Sequence, residues 1–166
     1  MTDKEQAVDG GKKRLITRRQ ARRLALQVMF ANEFLKEDLD TVANRVAESL
    51  DLPVSNFCRQ LYRQTSLHVA ELDQIIDEGI KTPTRKQIIP LEKILLRMAV
   101  TELLYFPDIP VEVTMDETLE ICKDFNNFRD CRFINGVLDS IYKDLDKQGK
   151  ISKNLAARIP PPQKRK

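Results

Sequence analysis

Residues 91–106 read LEKILLRMAVTELLYF and form the most hydrophobic stretch of the chain. If these residues form a helix, apolar side chains cover most of its circumference. The polar exceptions Lys93, Arg97 and Thr101 are four residues apart, so they would form one narrow polar stripe. Pro107 then ends the helical pattern. The stretch therefore predicts a helix in the centre of a helical core.

Helical patterns flank this stretch on both sides. Thr17 and Gln20 have the spacing of a capping box, and so do Thr114 and Glu117. Asp130 is suited to cap the last helix. The predicted helices are a first one that begins at Thr17, then 39–51, 54–80, 91–106, 115–126 and 131–147, with one further turn led by Thr84 between Pro83 and Pro90. No stretch reads as a convincing strand, and the short loops imply antiparallel neighbours, so the sequence predicts an all-α bundle of six or seven helices.

The chain has 166 residues, which is enough for one domain with a substantial core. No apolar run approaches the roughly 18 residues of a membrane span, and the polar amino terminus lacks the apolar region of a secretory signal. We therefore expect a cytoplasmic protein that does not bind membranes. We expect residues 1–16 to be a disordered basic arm, 17–147 the helical domain and 148–166 a disordered basic tail.

The sequence carries no pattern that is typical of a catalytic or metal site. The three cysteines, Cys58, Cys122 and Cys131, are odd in number and contain no C-x-x-C pair, which indicates buried thiols in a reducing compartment. His68 is the single histidine, so no set of metal ligands assembles. Nucleophile elbows, glycine-rich phosphate loops and HExxH motifs are absent from the sequence. We expect no catalysis, no cofactor and no metal.

Positive charge is concentrated near the two ends of the chain. Residues 12–23 contain seven basic residues and no acidic one, and residues 147–166 repeat this composition. The rest of the chain holds the other 14 basic residues against 25 acidic ones, although the formal net charge of the whole is only +3. This pattern indicates arms that bind a polyanion, with solvated tails as the alternative.

The arginines at the predicted start of the first helix are unfavourable for folding alone. Arg18 and Arg22 are four residues apart, as are Arg19 and Arg23, so each pair repels on the helix surface. Cations in the first turn also oppose the positive end of the helix dipole. A bound polyanion would remove the conflict, because arginine forks and free helix N–H groups both suit phosphate. The segment therefore predicts a nucleic-acid contact, with a merely solvated arginine face as the alternative.

A second candidate contact lies near the start of the last predicted helix. Arg132, Phe133 and Asn135 offer a cation, an aromatic ring and an amide, which are the groups used to bind single-stranded RNA. Core packing is the other interpretation of Phe133. The sequence shows no helix-turn-helix glycine turn, basic zipper or zinc-finger spacing that would favour DNA. The predicted RNA-binding residues are Lys12, Lys13, Arg14, Arg18, Arg19, Arg22, Arg23, Arg132, Phe133 and Asn135.

Four segments together resemble the NusB family of transcription antitermination factors. RRQARRLALQ at 18–27 looks like its opening helix, and 91–103 is similar to its central helix. Pro110 and the segment VTMDETLEICKDF at 113–125 resemble a third family segment, and FINGVLD at 133–139 closely matches the family's FVNGVLD. The chain departs from the family pattern at Asp116, where asparagine is usual, at Phe30, where tyrosine is common, and at Asn126, where glycine is common.

The resemblance implies an all-α fold of two helical subdomains. It also implies binding to the boxA element of ribosomal-RNA leader transcripts together with NusE, a small-subunit ribosomal protein, and loading onto the RNA polymerase antitermination complex. By position, the helix-one arginines and Arg132 with Phe133 would face RNA. Glu92 and Arg97 on the central helix would lie at or near the RNA and NusE surface, and Thr101 on the same helix is the third predicted partner-binding residue. Whether the free protein forms a homodimer that hides its RNA face stays open.

Two other functions remain as alternatives at this point. One is a helical protein–protein adaptor whose acidic body binds a basic partner without RNA. The other is a stand-alone RNA-targeting domain related to those fused to ribosomal-RNA cytosine methyltransferases.

Overall fold

The central hydrophobic stretch is a helix in the computed structural model, which describes residues 4–9, 12–81 and 87–154 and the side chains from Arg14 onward. The elements are β1 (Lys4–Asp9), β2 (Lys12–Thr17), α1 (Arg18–Leu35), α2 (Leu39–Ser49), α3 (Asn56–Leu67), α4 (Val69–Gly79), α5 (Pro90–Tyr105), α6 (Val111–Cys122) and α7 (Phe128–Lys147). The described part of the chain thus contains seven α-helices, which confirms the predicted all-α bundle. The single turn predicted around Thr84 lies outside the described residues.

Helix α5 is the centre of the molecule. It packs against α1 and α3 on one side and against α4, α6 and α7 on the other. Helices α1, α2 and α3 also pack among themselves, as do α4, α6 and α7 in part, so the bundle has two groups of helices that share α5. Leu95, Leu96 and Leu103 are at most 1% exposed, as the apolar circumference predicts.

The helix predicted over 54–80 is two helices. It breaks at His68, whose backbone has φ −110° and ψ 20°. The Nδ1 atom of His68 donates to the carbonyl of Gln64 at 2.9 Å, and that carbonyl is the acceptor which a continuous helix would give to the backbone N–H of residue 68. The His68 ring also stacks on Tyr105 with ring centroids 4.2 Å apart. The side chain thus competes for the backbone acceptor at the break.

Helices α6 and α7 begin earlier than predicted. Helix α6 begins after Pro110, and the Thr114 hydroxyl donates to the buried carboxylate of Glu102 at 3.2 Å instead of capping a helix. Helix α7 begins at Phe128, because the Asn127 side chain accepts from the backbone N–H of Asp130. The predicted caps at Thr114 and Asp130 are therefore wrong, while the predicted capping box of Thr17 and Gln20 is confirmed.

The amino-terminal residues contain strands that the sequence analysis did not predict. Strands β1 and β2 pair antiparallel, from Lys4 opposite Thr17 to Asp9 opposite Lys12. Ile16 is buried, and the hairpin lies against α1 and α3. The expectation of no strand is thus wrong here, and a hairpin stands where a disordered arm was predicted. The signal was in the sequence, since a two-residue Gly-Gly link is favoured in hairpins.

The first residues after α7 fold back onto the end of α5. The ammonium of Lys153 donates to the carbonyls of Glu102 and Phe106 at 2.7 and 2.8 Å, and the backbone N–H of Asn154 donates to Pro107 at 2.9 Å. A cation at the last carbonyls of a helix is favourable because it opposes the negative end of the helix dipole. Residues 148–154 are therefore docked where a disordered tail was predicted, and 155–166 lie outside the described residues.

Candidate nucleic-acid interface

Arg22 lies in the core of the bundle. Its side chain is 2% exposed, and its Nε and Nη2 atoms donate to both carboxylate oxygens of Glu102 at 2.9 and 2.8 Å. The guanidinium carbon lies 5.1 Å from the ring centroid of Phe57. This position does not agree with the prediction that Arg22 faces RNA, because a buried guanidinium matched by a buried carboxylate holds α1 against α5.

The neighbouring arginines of α1 form ion pairs with acidic residues at the surface. Arg19 donates through Nε and Nη2 to Glu117 in α6 at 2.8 and 2.9 Å, and Arg23 donates in the same way to Asp124 at 2.7 and 3.2 Å. The hydrogen bond from Arg19 lowers the pKa of Glu117. These carboxylates relieve the repulsion among the arginines that the sequence analysis assigned to an external polyanion. Both guanidiniums remain partly accessible, with side chains 45% and 38% exposed.

Two further cationic residues lie at the amino end of α1. The guanidinium of Arg18 lies 5.0 Å from the ring centroid of Phe57 and is half-buried. Arg14 in β2 donates to Asp51 at 2.7 Å from an exposed position. Lys12 and Lys13 lie in the same strand, and their side chains are outside the described part of the chain.

The start of α7 carries the second predicted contact. Arg132 is exposed, whereas Asn135 is half-buried and Phe133 is half-buried and packed against the core. The packing role that the sequence left open for Phe133 is therefore confirmed, and its contact with RNA stays a prediction. The exposed aromatic ring at this end is Phe128, which is 77% exposed and has the guanidinium carbon of Arg132 5.8 Å from its ring centroid. Sequence analysis missed Phe128, although its place outside the apolar stripe of α7 was a readable signal.

The segment between α6 and α7 lies between the arginines of α1 and the residues at the start of α7. Asp124 is paired with Arg23 of α1, and the Asn126 amide donates to Glu92 of α5 at 2.8 Å. Asn127 then caps α7 directly before Phe128. Arg18 lies away from this segment, beside Phe57 and Phe106 at the other end of α5. We call the surface residues on the two sides of the segment, Arg19, Arg23, Phe128, Arg129 and Arg132, the α1–α7 face.

The predicted NusE-binding residues of α5 are mostly inside the protein. Glu92 and Thr101 are 0% exposed. Glu92 accepts from the backbone N–H of Ile89, and Thr101 accepts from the hydroxyl of Thr65. Their predicted contact with a partner does not agree with this burial. Arg97 is 14% exposed and donates to Asp73 at 2.7 and 2.9 Å, so the polar stripe of α5 chiefly joins the helices of the bundle.

The cysteines are buried, as predicted. Cys131 donates to Cys122 with the two Sγ atoms 2.7 Å apart, and burial raises the pKa of Cys122 to about 12. This thiol is therefore protonated at neutral pH and unsuited to nucleophilic chemistry. In the described ranges, no group of three or more histidine, cysteine and acidic side chains is placed to hold a metal ion.

Comparison with known proteins decides the family. Residues 19–143 match the sequence model of the NusB family. The chain belongs to the NusB family. A transcription antitermination protein NusB from Salinibacter ruber is 35% identical over 140 residues, which cover 82% of this chain and 88% of the relative. The NusB of Citrifermentans bemidjiense is 34% identical over 137 residues, which cover 76% of this chain and 94% of the relative.

Solved NusB structures share the fold of this NusB-family chain. NusB from T. maritima superposes with a TM-score of 0.68 at 28% identity and covers 78% of this chain and 92% of its own. A structure of NusB and NusE in complex with dsRNA superposes with a TM-score of 0.67 at 22% identity, over 76% of this chain and 96% of its own. The resemblance inferred from the four segments is thus confirmed. Among the described helices, none has the length and apolar character to cross a bilayer.

Proposed function

We propose that this chain is an RNA-binding transcription antitermination factor that binds boxA of ribosomal-RNA leader transcripts together with NusE and acts in the cytoplasm without catalysis. The match of residues 19–143 to the NusB family carries this proposal. Its relatives are named transcription antitermination proteins, and a protein of the same fold has been solved with NusE and dsRNA. In this role the complex joins the RNA polymerase antitermination machinery.

The α1–α7 face is the RNA-binding surface in this proposal. Arg19 and Arg23 already hold bidentate carboxylate partners, and a phosphate offers the same two-oxygen geometry to a guanidinium. Partly exposed ion pairs of this kind contribute only about 0–1 kcal/mol, so a phosphate can replace the carboxylate at small cost. Arg132 adds a cation on the α7 side of the face, and the predicted contacts Lys12, Lys13 and Arg14 lie in β2, which directly precedes α1 in the chain.

NusE is proposed to bind near Arg97. This side chain also lies 3.6 Å from the carboxylate of Glu33, which is 51% exposed. Glu33, Lys36 and Arg97 line one shallow cavity between α1, α3 and α5. A protein that reaches this cavity would contact Arg97 and leave the buried Glu92 and Thr101 in place.

A gel shift tests the proposed function. The chain is mixed with a boxA-like RNA or a scrambled RNA of equal length, with and without NusE. We expect boxA-like RNA to bind more tightly than scrambled RNA, and NusE to increase the difference. Equal binding of both RNAs, or no binding of either, would contradict RNA recognition. NusE capture by a chain that binds no RNA would favour the adaptor function instead.

Salt dependence tests which residues contact phosphate. With about five to seven phosphate contacts we expect log K against log salt to have a slope of about −3 to −5. Arg23→Gln should flatten the slope by somewhat under one unit. Arg45→Gln is the matched control, because Arg45 also pairs with a carboxylate, Glu37, but lies on α2 away from the α1–α7 face. Equal effects of the two substitutions would remove Arg23 from the interface.

A further inference from the structure

Phe128 is an aromatic side chain that the fold does not use. It is the first residue of α7 and is 77% exposed, whereas the apolar residues of α7 that face the core, such as Ile134 and Leu138, are at most 1% exposed. The guanidinium of Arg132, one helical turn later, lies over its ring with 5.8 Å to the centroid. Arg129 beside it is also exposed. A ring with this exposure contributes little to the core, and the side chain that lies against it is an exposed arginine.

We propose that Phe128 is a stacking platform for one unpaired RNA base, with Arg129 and Arg132 bound to the phosphates on either side of that base. This inference rests on the proposed function and assigns a residue to it. Stacking on an aromatic ring is the usual way in which proteins hold unpaired bases, and nearby cations hold the backbone. Phe133 is less suited to this role because its ring is packed against the core.

Charge favours a nucleic acid over a protein at this ring. Another exposed phenylalanine, Phe34, is 74% exposed, but it packs edge-to-face on Phe30 and its sequence neighbours include the acidic Glu33 and Glu37. Phe128 instead is followed by Arg129 and Arg132, and the guanidinium of Arg132 lies against its ring. The two rings have similar exposure and differ in the cation that lies against Phe128, which makes Phe34 a matched control.

The backbone that carries Phe128 is held in place by two neighbouring residues. Asn126 donates to Glu92 of α5, and Asn127 caps α7 through the N–H of Asp130. A phenylalanine side chain has only two rotatable bonds, so a ring on this support loses little freedom when a base stacks on it. The arrangement is pre-organised for a planar ligand.

Tryptophan fluorescence tests the proposal, since the full chain contains no tryptophan. In Phe128→Trp the new indole is the sole tryptophan, and we expect boxA-like RNA to quench its emission while RNA affinity is retained. Phe34→Trp should show unchanged emission with the same RNA. Emission of Phe128→Trp that does not change, while the anisotropy of labelled RNA shows binding, would overturn the stacking assignment and leave the proposed function standing. No binding of RNA by the unmodified chain would overturn both.

Affinity measurements give a second readout. Phe128→Ala should weaken RNA binding roughly 5- to 150-fold, the loss expected for one stacked base, with no change in the salt slope. Its melting temperature should match the parent, because the ring is exposed. Phe34→Ala should leave RNA binding unchanged. If Phe128→Ala instead prevents NusE capture and leaves RNA affinity intact, the ring is a protein-binding site and the proposal is wrong.

Discussion

The Arg22–Glu102 pair holds α1 against α5 from inside the core. Removing one member leaves the other charge buried without its partner, which costs about 3–5 kcal/mol. We expect Arg22→Met or Glu102→Gln to lower the free energy of unfolding by that amount in urea titrations, and the double variant Arg22→Met with Glu102→Leu to recover much of it. A loss below about 1 kcal/mol for each single variant would show that the pair is not buried as described.

We expect Glu117 to compete with RNA for Arg19, because the two side chains are paired in the structure. Its pKa is lowered by the hydrogen bond from Arg19, so it is ionised at neutral pH and competes with phosphate. Glu117→Gln should therefore tighten RNA binding about two- to fivefold at low salt and steepen the salt dependence. Glu112→Gln removes the same charge from an exposed position on the same helix and is the control. Equal gains from both variants would indicate only a general charge effect.

Asp40 makes stability depend on acid pH. Hydrogen bonds from Arg63 and Tyr62 lower its pKa from the ordinary 3.8. Because the folded pKa is the lower one, the stabilisation is complete above pH 3.8 and is lost as pH falls through the folded value. We expect the melting temperature to fall steeply below about pH 4. Asp40→Asn should lower the melting temperature at pH 7 and make it depend less on pH below about pH 4. If the melting temperatures of the parent and the variant fall equally below about pH 4, this assignment is wrong.

At the residue scale, the sequence located the arginines but not their partners. Arg19, Arg22 and Arg23 pair with residues 98, 80 and 101 positions away, and no local pattern reports such distances. Helical spacing also could not show that Arg22 points inward, because a charged residue is expected at the surface unless a buried partner is known. The exposure of Phe128 could have been predicted, because this aromatic residue lies outside the apolar stripe of α7.

At the element scale, the contact between α4 and α7 depends on a glycine. An alanine Cβ at Gly79 would overlap Cγ1 of Ile141 in α7, so Gly79→Ala should lower stability by about 1–3 kcal/mol. Combining it with Ile141→Ala should cost less than the sum of the two single changes in urea titrations. Gly136→Ala is the control, since a Cβ there meets nothing within 4 Å, and it should stabilise α7 by about 0.5–1 kcal/mol. Additive costs at 79 and 141 would contradict the close approach.

Strong apolar periodicity predicted the helices well. The errors arise where side chains make hydrogen bonds or ring contacts that the periodicity does not show. The 91–106 stretch gave α5 almost to the residue because its apolar circumference fits no other element. The break at His68 arises from a side chain that takes a backbone acceptor and stacks on Tyr105, a residue from another helix. The start of α6 was misplaced because Thr114 bonds to Glu102 rather than to its own helix. Tertiary contacts decided both cases.

At the scale of the whole molecule, the described basic residues near the amino end do not remain separate from the acidic body. Arg19 pairs with α6, Arg22 pairs with α5, and Arg23 pairs with Asp124 in the segment that leads to α7. Family membership supports our proposal that the α1–α7 face binds RNA, a choice that charge alone left open between a nucleic acid and solvent. Burial removed Arg22, Glu92 and Thr101 from the predicted contacts, because the fold uses them to join helices.

The most direct test of this account is to map where RNA touches the chain. A boxA-like RNA is crosslinked to the full chain with short-wavelength ultraviolet light, and the attached peptides are identified by mass spectrometry. We predict crosslinks at Phe128 and nearby in residues 128–135, with further ones in 18–23. Crosslinks confined to α2 and α3, or to residues 155–166, would contradict the assignment of the α1–α7 face to RNA.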